Sequence, residues 1–169
     1  MSVENKPVVV AVSGVKNSGK TTLITAMLPH FQRAGIQVAV IKHDGHTFSP
    51  DPPHTDTGRY MAAGAAGAAI YDGETSKVIW RKKPDMDWLI TLFPQVDLIL
   101  LEGGKHSRWP KLELLREGNS TQSVCDPATL LALVTNTPLR LPQVPTLPLD
   151  DPEQVAAFVV QYIKKECAP

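Results

Sequence analysis

The stretch PVVVAVSGVKNSGKTTL, residues 7–23, joins a run of β-branched residues to a glycine-rich turn and an apolar helical pattern. The turn matches the pattern G-x-x-x-x-G-K-[ST] through Gly14, Gly19, Lys20 and Thr21. In such a loop, successive backbone N–H groups and the positive end of the following helix balance the charge of a phosphate chain. A strand before the motif and a helix after it are the context that this mechanism requires. The sequence therefore predicts a phosphate-binding P-loop rather than a glycine-rich turn that binds nothing.

The residues of this loop have separate predicted roles. Lys20 is expected to reach the β- and γ-phosphates, and the Thr21 hydroxyl is expected to ligate Mg²⁺. The bend and the N–H donors come from Gly14, Ser18 and Gly19, because glycine lets the backbone approach the phosphates without a Cβ clash. The chain is thus predicted to bind a nucleotide together with a metal ion.

A P-loop site also needs a carboxylate near Mg²⁺, at the end of another buried strand. The segment QVDLILLEGG, residues 95–104, offers Asp97 before its apolar run and Glu102 at the end of that run. Parallel strands present ligand-binding residues at their carboxyl ends, so Glu102 is predicted to be the metal-side carboxylate. The alternative for Glu102 is a salt bridge or solvent exposure, and Asp97 is interpreted as a residue at the strand start.

Buried strands alternate with helical patterns along the chain, which predicts a three-layer α/β fold with a mostly parallel central sheet. Further strands are expected in IQVAVIKH, KLELLREG, TLLALVTN and VPTLPLD. A short helix in DTGRYMAAGA is expected to be capped by Thr55 or Asp56, and the closing helix by Asp151. GAAIYDGETSKVIW predicts a hairpin with a two-residue turn at Asp72 and Gly73.

Length and composition favour a single domain over residues 1–169 that is cytoplasmic. The chain is 43% hydrophobic with a formal net charge of zero, which argues against a surface that coats nucleic acid. The two cysteines, Cys125 and Cys167, are far apart and fit a reducing compartment. No signal peptide is evident in MSVENKPVVV, and no apolar run is long enough to span a membrane.

The segments GVKNSGKTTL, IKHDGH, DTGRYMAAGA and DLILLEGGK, in this order and at these intervals, resemble the molybdopterin-guanine dinucleotide biosynthesis adaptor proteins, the MobB family. The resemblance covers about residues 7–105. It implies a P-loop domain of the NTPase type that binds GTP with Mg²⁺, hydrolyses GTP slowly and forms a homodimer. It further implies assistance to a partner guanylyltransferase of the MobA type, which attaches GMP to molybdopterin.

The resemblance also assigns residues. It implies Glu102 as the metal-side carboxylate and gives a phosphate loop of Gly14, Val15, Lys16, Asn17, Ser18, Gly19, Lys20, Thr21 and Thr22. Asp44 matches a motif position of the family; its role in orienting Mg²⁺-bound water is an interpretation of its place just beyond the second strand, in a switch-like element near the γ-phosphate. Lys16 lies one position later than the lysine with which related P-loop dimers reach the partner's nucleotide. Asn136, in VTNTPL, can contact the base, but neither lysine nor aspartate follows it in the N-K-x-D pattern of many GTP-binding proteins. Guanine specificity therefore rests on the resemblance.

Other polar groups leave alternatives open. His43 and His46 flank Asp44, and this segment is interpreted as a loop near the γ-phosphate. Two alternatives are a zinc site that includes His54 and Asp56, and a polar loop without a ligand. Arg59 is expected in a surface ion pair or on a phosphate. A basic loop after Glu102 is a candidate contact for a pterin phosphate or an acidic partner, or is merely solvated; it comprises Lys105, His106, Arg108 and Lys111. Two rival functions remain: a P-loop small-molecule kinase and a nucleotide-switched scaffold.

Overall fold

The computed structural model describes residues 6–43, 51–83 and 85–168. The strands are β1 (Val8–Gly14), β2 (Val38–Lys42), β3 (Gly67–Tyr71), β4 (Ser76–Trp80), β5 (Leu98–Glu102), β6 (Lys111–Leu115), β7 (Leu130–Thr135) and β8 (Thr146–Pro148). The helices are α1 (Lys20–Arg33), α2 (Asp56–Ala62), α3 (Met86–Thr91) and α4 (Pro152–Glu166), with a short 3-10 helix at Pro127–Thr129. Contacts divide the chain into a larger unit, Met1–His43 with Leu89–Pro169, and a smaller unit, Asp44–Trp88. A single domain over residues 1–169 stays a prediction.

The larger unit is built on a six-stranded sheet with the order β2-β5-β1-β6-β7-β8. Every neighbouring pair in this sheet is parallel. The strand that leads into the glycine-rich loop, β1, lies between β5 and β6, with Val12 opposite Glu102 and Gly14 opposite Leu114. All six carboxyl ends therefore meet at one edge of the sheet, and the predicted fold class is confirmed.

Two amphipathic helices, α1 and α4, bury their apolar faces in the core of this unit. The buried residues of α1 are Leu23, Ile24, Met27 and Phe31, and those of α4 are Val155, Ala156, Val159 and Ile163. They pack with the central strand residues, such as Val10, Leu100 and Leu112, in one hydrophobic cluster. The predicted cap of α4 is confirmed, because the Asp151 carboxylate accepts from the Gln154 N–H at 2.9 Å.

The strand expected in IQVAVIKH is β2, which lies at one edge of the sheet and is buried on one face only. Ala39 and Ile41 are buried, whereas Val40 between them is 39% exposed. Side chains alternate across a strand, so one face of β2 is covered and the other is open among the described residues. A short run of β-branched residues cannot by itself distinguish a central strand from an edge strand.

The smaller unit contains α2 and the hairpin of β3 and β4. Thr55 caps α2 by accepting from the Gly58 N–H at 3.1 Å, which confirms one of the two predicted caps. The predicted two-residue turn is wrong, because Tyr71 pairs with Ser76 and four residues join the strands. The reason is the Asp72 carboxylate, which accepts from the N–H groups of Glu74 and Thr75 and so closes a wider loop.

Candidate nucleotide-binding site

The glycine-rich loop between β1 and α1 has a backbone that only particular residues can adopt. Gly14 has φ 139°, and a Cβ there would lie 2.7 Å from the Leu114 carbonyl oxygen. Gly19 has φ 99° and caps α1 with no side-chain hydrogen bond to the helix. The first N–H groups of α1 are therefore not taken up by a side-chain cap, which is the arrangement that an anion at a helix N-terminus requires.

Lys20 lies at the first position of α1 and bends back over this loop. Its Nζ donates to the Val15 carbonyl at 2.7 Å and to the Gly14 carbonyl at 3.4 Å. Partial burial lowers the pKa of Lys20, while the nearby Glu102 carboxylate acts in the opposite direction and Lys42 adds to the lowering. An ammonium group held at the concave side of a loop of N–H groups is suited to a phosphate chain.

On the β5 side, a hydroxyl, a carboxylate and an ammonium converge. The Thr21 Oγ1 donates to Glu102 Oε1 at 2.8 Å, and the Lys42 Nζ lies 3.1 Å from the same oxygen. Glu102 is only 7% exposed, while the Lys42 side chain is 55% exposed. The salt-bridge alternative for Glu102 is therefore present in the structure, but it accompanies the contact with Thr21. A hydroxyl and a carboxylate in direct contact are the hard oxygen donors that Mg²⁺ prefers, so these two residues fit the ion.

Backbone contacts hold Glu102 at this place. The His43 N–H donates to the Glu102 carbonyl at 3.0 Å, and the Gly103 N–H donates to the Val12 carbonyl at 2.9 Å. The Ser13 Oγ donates to the Gly103 carbonyl at 2.6 Å. The end of β5 is thus fixed against β1 just before the glycine-rich loop. Ser13 contributes to this contact although it belongs to none of the sequence motifs.

On the other side of β1, a cleft of about 380 Å³ opens beside the glycine-rich loop. One wall is formed by the loop and α1, with Ser18, Gly19, Thr22, Leu23 and Ala26. The opposite wall is formed by residues that follow strands, namely Arg116, Asn136, Leu149, Asp150 and Pro152. The structure thus brings Asn136, the predicted base contact, together with the phosphate loop. Volumes of this size are typical of small-molecule sites.

The opposite wall of the cleft is tied to the glycine-rich loop. The Asn136 Oδ1 accepts from the Glu117 N–H at 2.8 Å, which joins the residue after β7 to the turn after β6. The Asn119 Nδ2 in the same turn donates to the Lys16 carbonyl at 3.1 Å. Sequence reasoning missed Arg116, Asn119 and Asp150; the available signal was that Arg116 directly follows a strand and Asp150 comes just after one.

The remaining predicted residues fall in several places. Asp44 and His46 lie outside the described residues, and Arg59 lies on α2 of the smaller unit. Asp97 is at the amino end of β5, as predicted, and accepts from the Gln37 N–H at 2.7 Å. Among residues 6–43, 51–83 and 85–168, no three His, Cys, Asp or Glu side chains come together as a metal-binding group. Within the same ranges no helix is long and apolar enough to cross a membrane.

The prediction that Lys111 belongs to a basic surface loop is wrong. Lys111 is fully buried at the start of β6, where its Nζ donates to the Ser107 carbonyl at 2.7 Å and to the Thr129 hydroxyl at 2.9 Å. Its neighbour Cys125 is also buried, and burial together with the Glu113 carboxylate raises the pKa of the thiol to about 12. These side chains are buried among protein groups, so Lys111 does not belong to a solvent-facing loop.

Comparison with known proteins matches residues 9–136 to the family described as Molybdopterin guanine dinucleotide synthesis protein B. The chain is 32% identical to the probable molybdopterin-guanine dinucleotide biosynthesis adapter protein of Bacillus subtilis over 167 residues, covering 95% of each chain. It is 30% identical to the molybdopterin-guanine dinucleotide biosynthesis adapter protein of Escherichia coli over 165 residues, covering 92% of this chain and 93% of that protein. The crystal structure of Bacillus subtilis MobB superposes with a TM-score of 0.71 at 28% identity, covering 91% of this chain and 96% of that one.

Proposed function

The chain belongs to the Molybdopterin guanine dinucleotide synthesis protein B family, and on this premise we propose that it is a GTP-binding adapter in the synthesis of molybdopterin guanine dinucleotide. Two relatives that match over more than nine-tenths of the chain carry the adapter role in their names. The fold and the glycine-rich loop support a nucleotide as the ligand that controls this role.

One observation carries the proposal: the contact of Thr21 with Glu102 beside the ammonium group of Lys20. The hydrogen bond from the Thr21 hydroxyl to Glu102 brings two oxygen atoms together at the end of the glycine-rich loop, and in this proposal both would ligate Mg²⁺. Lys20 and the N–H groups of residues 14–22 supply the opposite charge for the phosphates. Bound Mg²⁺ would neutralise part of the phosphate charge. The residues of the chain orient the triphosphate and hold the Glu102 carboxylate next to Thr21.

We further propose that the bound nucleotide changes the affinity for a guanylyltransferase of the MobA type or for its molybdopterin substrate. Hydrolysis of GTP is slow in this proposal, because the output is a binding state and not a released product. The protein acts as a homodimer. Both cysteines are free thiols, which fits the reducing cytoplasm as its compartment.

A magnesium-dependent titration with GTP, by calorimetry, tests the nucleotide site. Lys20→Ala should weaken binding by roughly 10- to 150-fold, because a hydrogen bond to a charged group contributes about 1.5–3 kcal/mol. Lys165→Ala, at an exposed lysine in the last turn of α4, is the matched control and should bind like the wild type. Equal binding by the wild type and Lys20→Ala would remove the basis of the proposal.

The same two variants test the adapter role. A tagged wild-type chain loaded with Mg²⁺ and GTP should retain the guanylyltransferase on an affinity column, and Lys20→Ala should retain much less. Phosphorylation of a small-molecule acceptor would instead support the kinase alternative. Nucleotide-dependent assembly without retention of the transferase would support the scaffold alternative.

A further inference from the structure

We propose that Asp150 recognises the guanine base, with Asn136 as its companion, at the end of the cleft that lies on the β6 side of β1. This inference rests on the proposed function, since it requires that the glycine-rich loop binds a nucleoside triphosphate. It adds the residue that selects the base. No N-K-x-D segment is present at Asn136 to supply that residue.

The order of the strands gives the direction of the nucleotide. Glu102 is the last residue of β5 on one side of β1, whereas Arg116, Asn136 and Asp150 come just after β6, β7 and β8 on the other side. The metal-binding oxygens therefore mark the end of the triphosphate that lies toward β5. The base must extend the opposite way, into the cleft that Ser18, Gly19 and Thr22 share with Asn136 and Asp150.

The two carboxylates that follow β8 have different roles. Asp151 accepts from the Gln154 N–H at 2.9 Å and so caps α4. Asp150, one residue earlier, lines the cleft, is exposed, and has no hydrogen bond or ion pair with any residue that the structure describes. Its carboxylate is therefore available as an acceptor for a ligand, whereas the Asp151 carboxylate is used by the fold.

The chemistry of Asp150 matches guanine and opposes adenine. Guanine presents two adjacent donors, N1–H and the N2 amino group. The two oxygens of one carboxylate can accept hydrogen bonds from both donors at once. Adenine has no N2 amino group and carries a lone pair at N1, which a carboxylate repels. A carboxylate at this position therefore distinguishes the two purines through both attraction and repulsion.

Asn136, which follows the neighbouring strand β7, can bind other atoms of the guanine base. The Glu117 N–H can only donate, so it fixes the Asn136 amide oxygen at 2.8 Å and leaves the Nδ2 group as the donor for a ligand. Guanine has acceptors at O6 and N7, which suit an amide donor. The partly buried Leu149 gives the cleft an apolar surface against which a flat base can pack.

The test is a base swap at Asp150. Affinities of the wild type, Asp150→Asn and Asp151→Asn for the Mg²⁺ complexes of GTP, XTP and ATP are measured by calorimetry. Xanthine carries a carbonyl in place of the N2 amino group, so an amide donor at position 150 should favour XTP. We expect the GTP-to-XTP preference of Asp150→Asn to fall by at least about a hundredfold, because a lost pairing leaves polar groups without partners. Asp151→Asn keeps a residue that caps helices equally well and should behave as the wild type.

Three outcomes would overturn the inference, and they separate it from the proposed function. If the wild type binds GTP and ATP equally, or if Asp150→Asn changes the affinity for all three nucleotides by the same factor, Asp150 does not recognise the base, while the nucleotide site stands. If the wild type binds none of the three nucleotides, the proposed function itself fails. Thermal unfolding of each variant checks that the exposed substitution leaves the fold intact.

Discussion

The two sides of β1 at the carboxyl edge of the sheet are built differently. On the β5 side, Thr21 and Lys42 both contact the Oε1 atom of Glu102, and Glu102 is almost completely buried. On the β6 side, the cleft is open, and Arg116 and Asp150 are exposed residues that line its wall. In the proposed function, the first side supplies the groups that any triphosphate with its metal ion needs. The second side supplies the groups that distinguish one nucleotide from another.

Gly14 lies between the two sides, and its substitution should damage both. In Gly14→Ala the new Cβ would lie 2.7 Å from the Leu114 carbonyl oxygen and 2.9 Å from the Ser18 Oγ, at a φ of 139°. We expect the free energy of unfolding to fall by about 1–3 kcal/mol or more, as for other residues in strained backbone regions, and the affinities for GTP and XTP to fall by similar factors. Chemical denaturation and calorimetry measure the two effects.

The control for this change is Gly73→Ala, because nothing lies within 4 Å of a Cβ at Gly73. It should alter neither stability nor binding. A Gly14→Ala protein whose affinity falls by a much larger factor for one of these two nucleotides than for the other would show that the two sides do not share the loop as a common support.

Glu102→Gln should act on the β5 side alone. The amide keeps the shape of the side chain but removes the charge that faces Thr21 and Lys42, so we expect the affinity for Mg²⁺ in the presence of GTP to fall by about 10- to 100-fold. The ratio of GTP to ATP affinity should stay constant. Titration of Mg²⁺ at fixed nucleotide concentration measures the change.

Glu153→Gln, an exposed residue in the first turn of α4, serves as the control for loss of a negative charge. The assignment of Glu102 to the metal side would be wrong if Glu102→Gln bound Mg²⁺ like this control. It would be equally wrong if the substitution changed the base preference.

Asn119→Ala should have the smallest effect of these substitutions, and it tests whether Asn119 supports the glycine-rich loop or contacts the base. Asn119 follows β6, yet its side chain donates to the Lys16 carbonyl in the glycine-rich loop. A net hydrogen bond of about 0.5–1.5 kcal/mol predicts a loss of roughly two- to tenfold in affinity, equal for GTP, XTP and ATP. Competition titration gives the three ratios, and a selective loss of one base would place Asn119 in the base site instead.

The sequence predicts one side of the site far better than the other. The glycine-rich loop is a continuous segment whose backbone requirements appear as glycines at fixed spacing, and Glu102 follows from the rule that parallel strands end at one edge. Asp150 is not predictable in this way, because it is 14 positions beyond Asn136 in the sequence, and only the adjacency of β7 and β8 brings both residues to one cleft.

The wrong predictions have physical causes of the same kind. Lys111 stands among basic residues in the sequence, but its long side chain reaches two oxygen acceptors that allow it to be buried. Asp72 and Gly73 favour a tight turn, but the Asp72 side chain accepts from two backbone N–H groups and stabilises a longer one. In both cases a side-chain hydrogen bond, which composition does not reveal, decides the local structure.

The position of Lys20 has a consequence for how tightly any anion is held. Its ammonium group already donates to the Val15 and Gly14 carbonyls, so these two acceptors hold the Lys20 side chain over the turn. Capture of a phosphate is thus an exchange of acceptors that needs little ordering of the chain, so the entropic cost is small, but each new contact replaces an old one. In the proposed function, such a balance would favour rapid and reversible binding of the nucleotide.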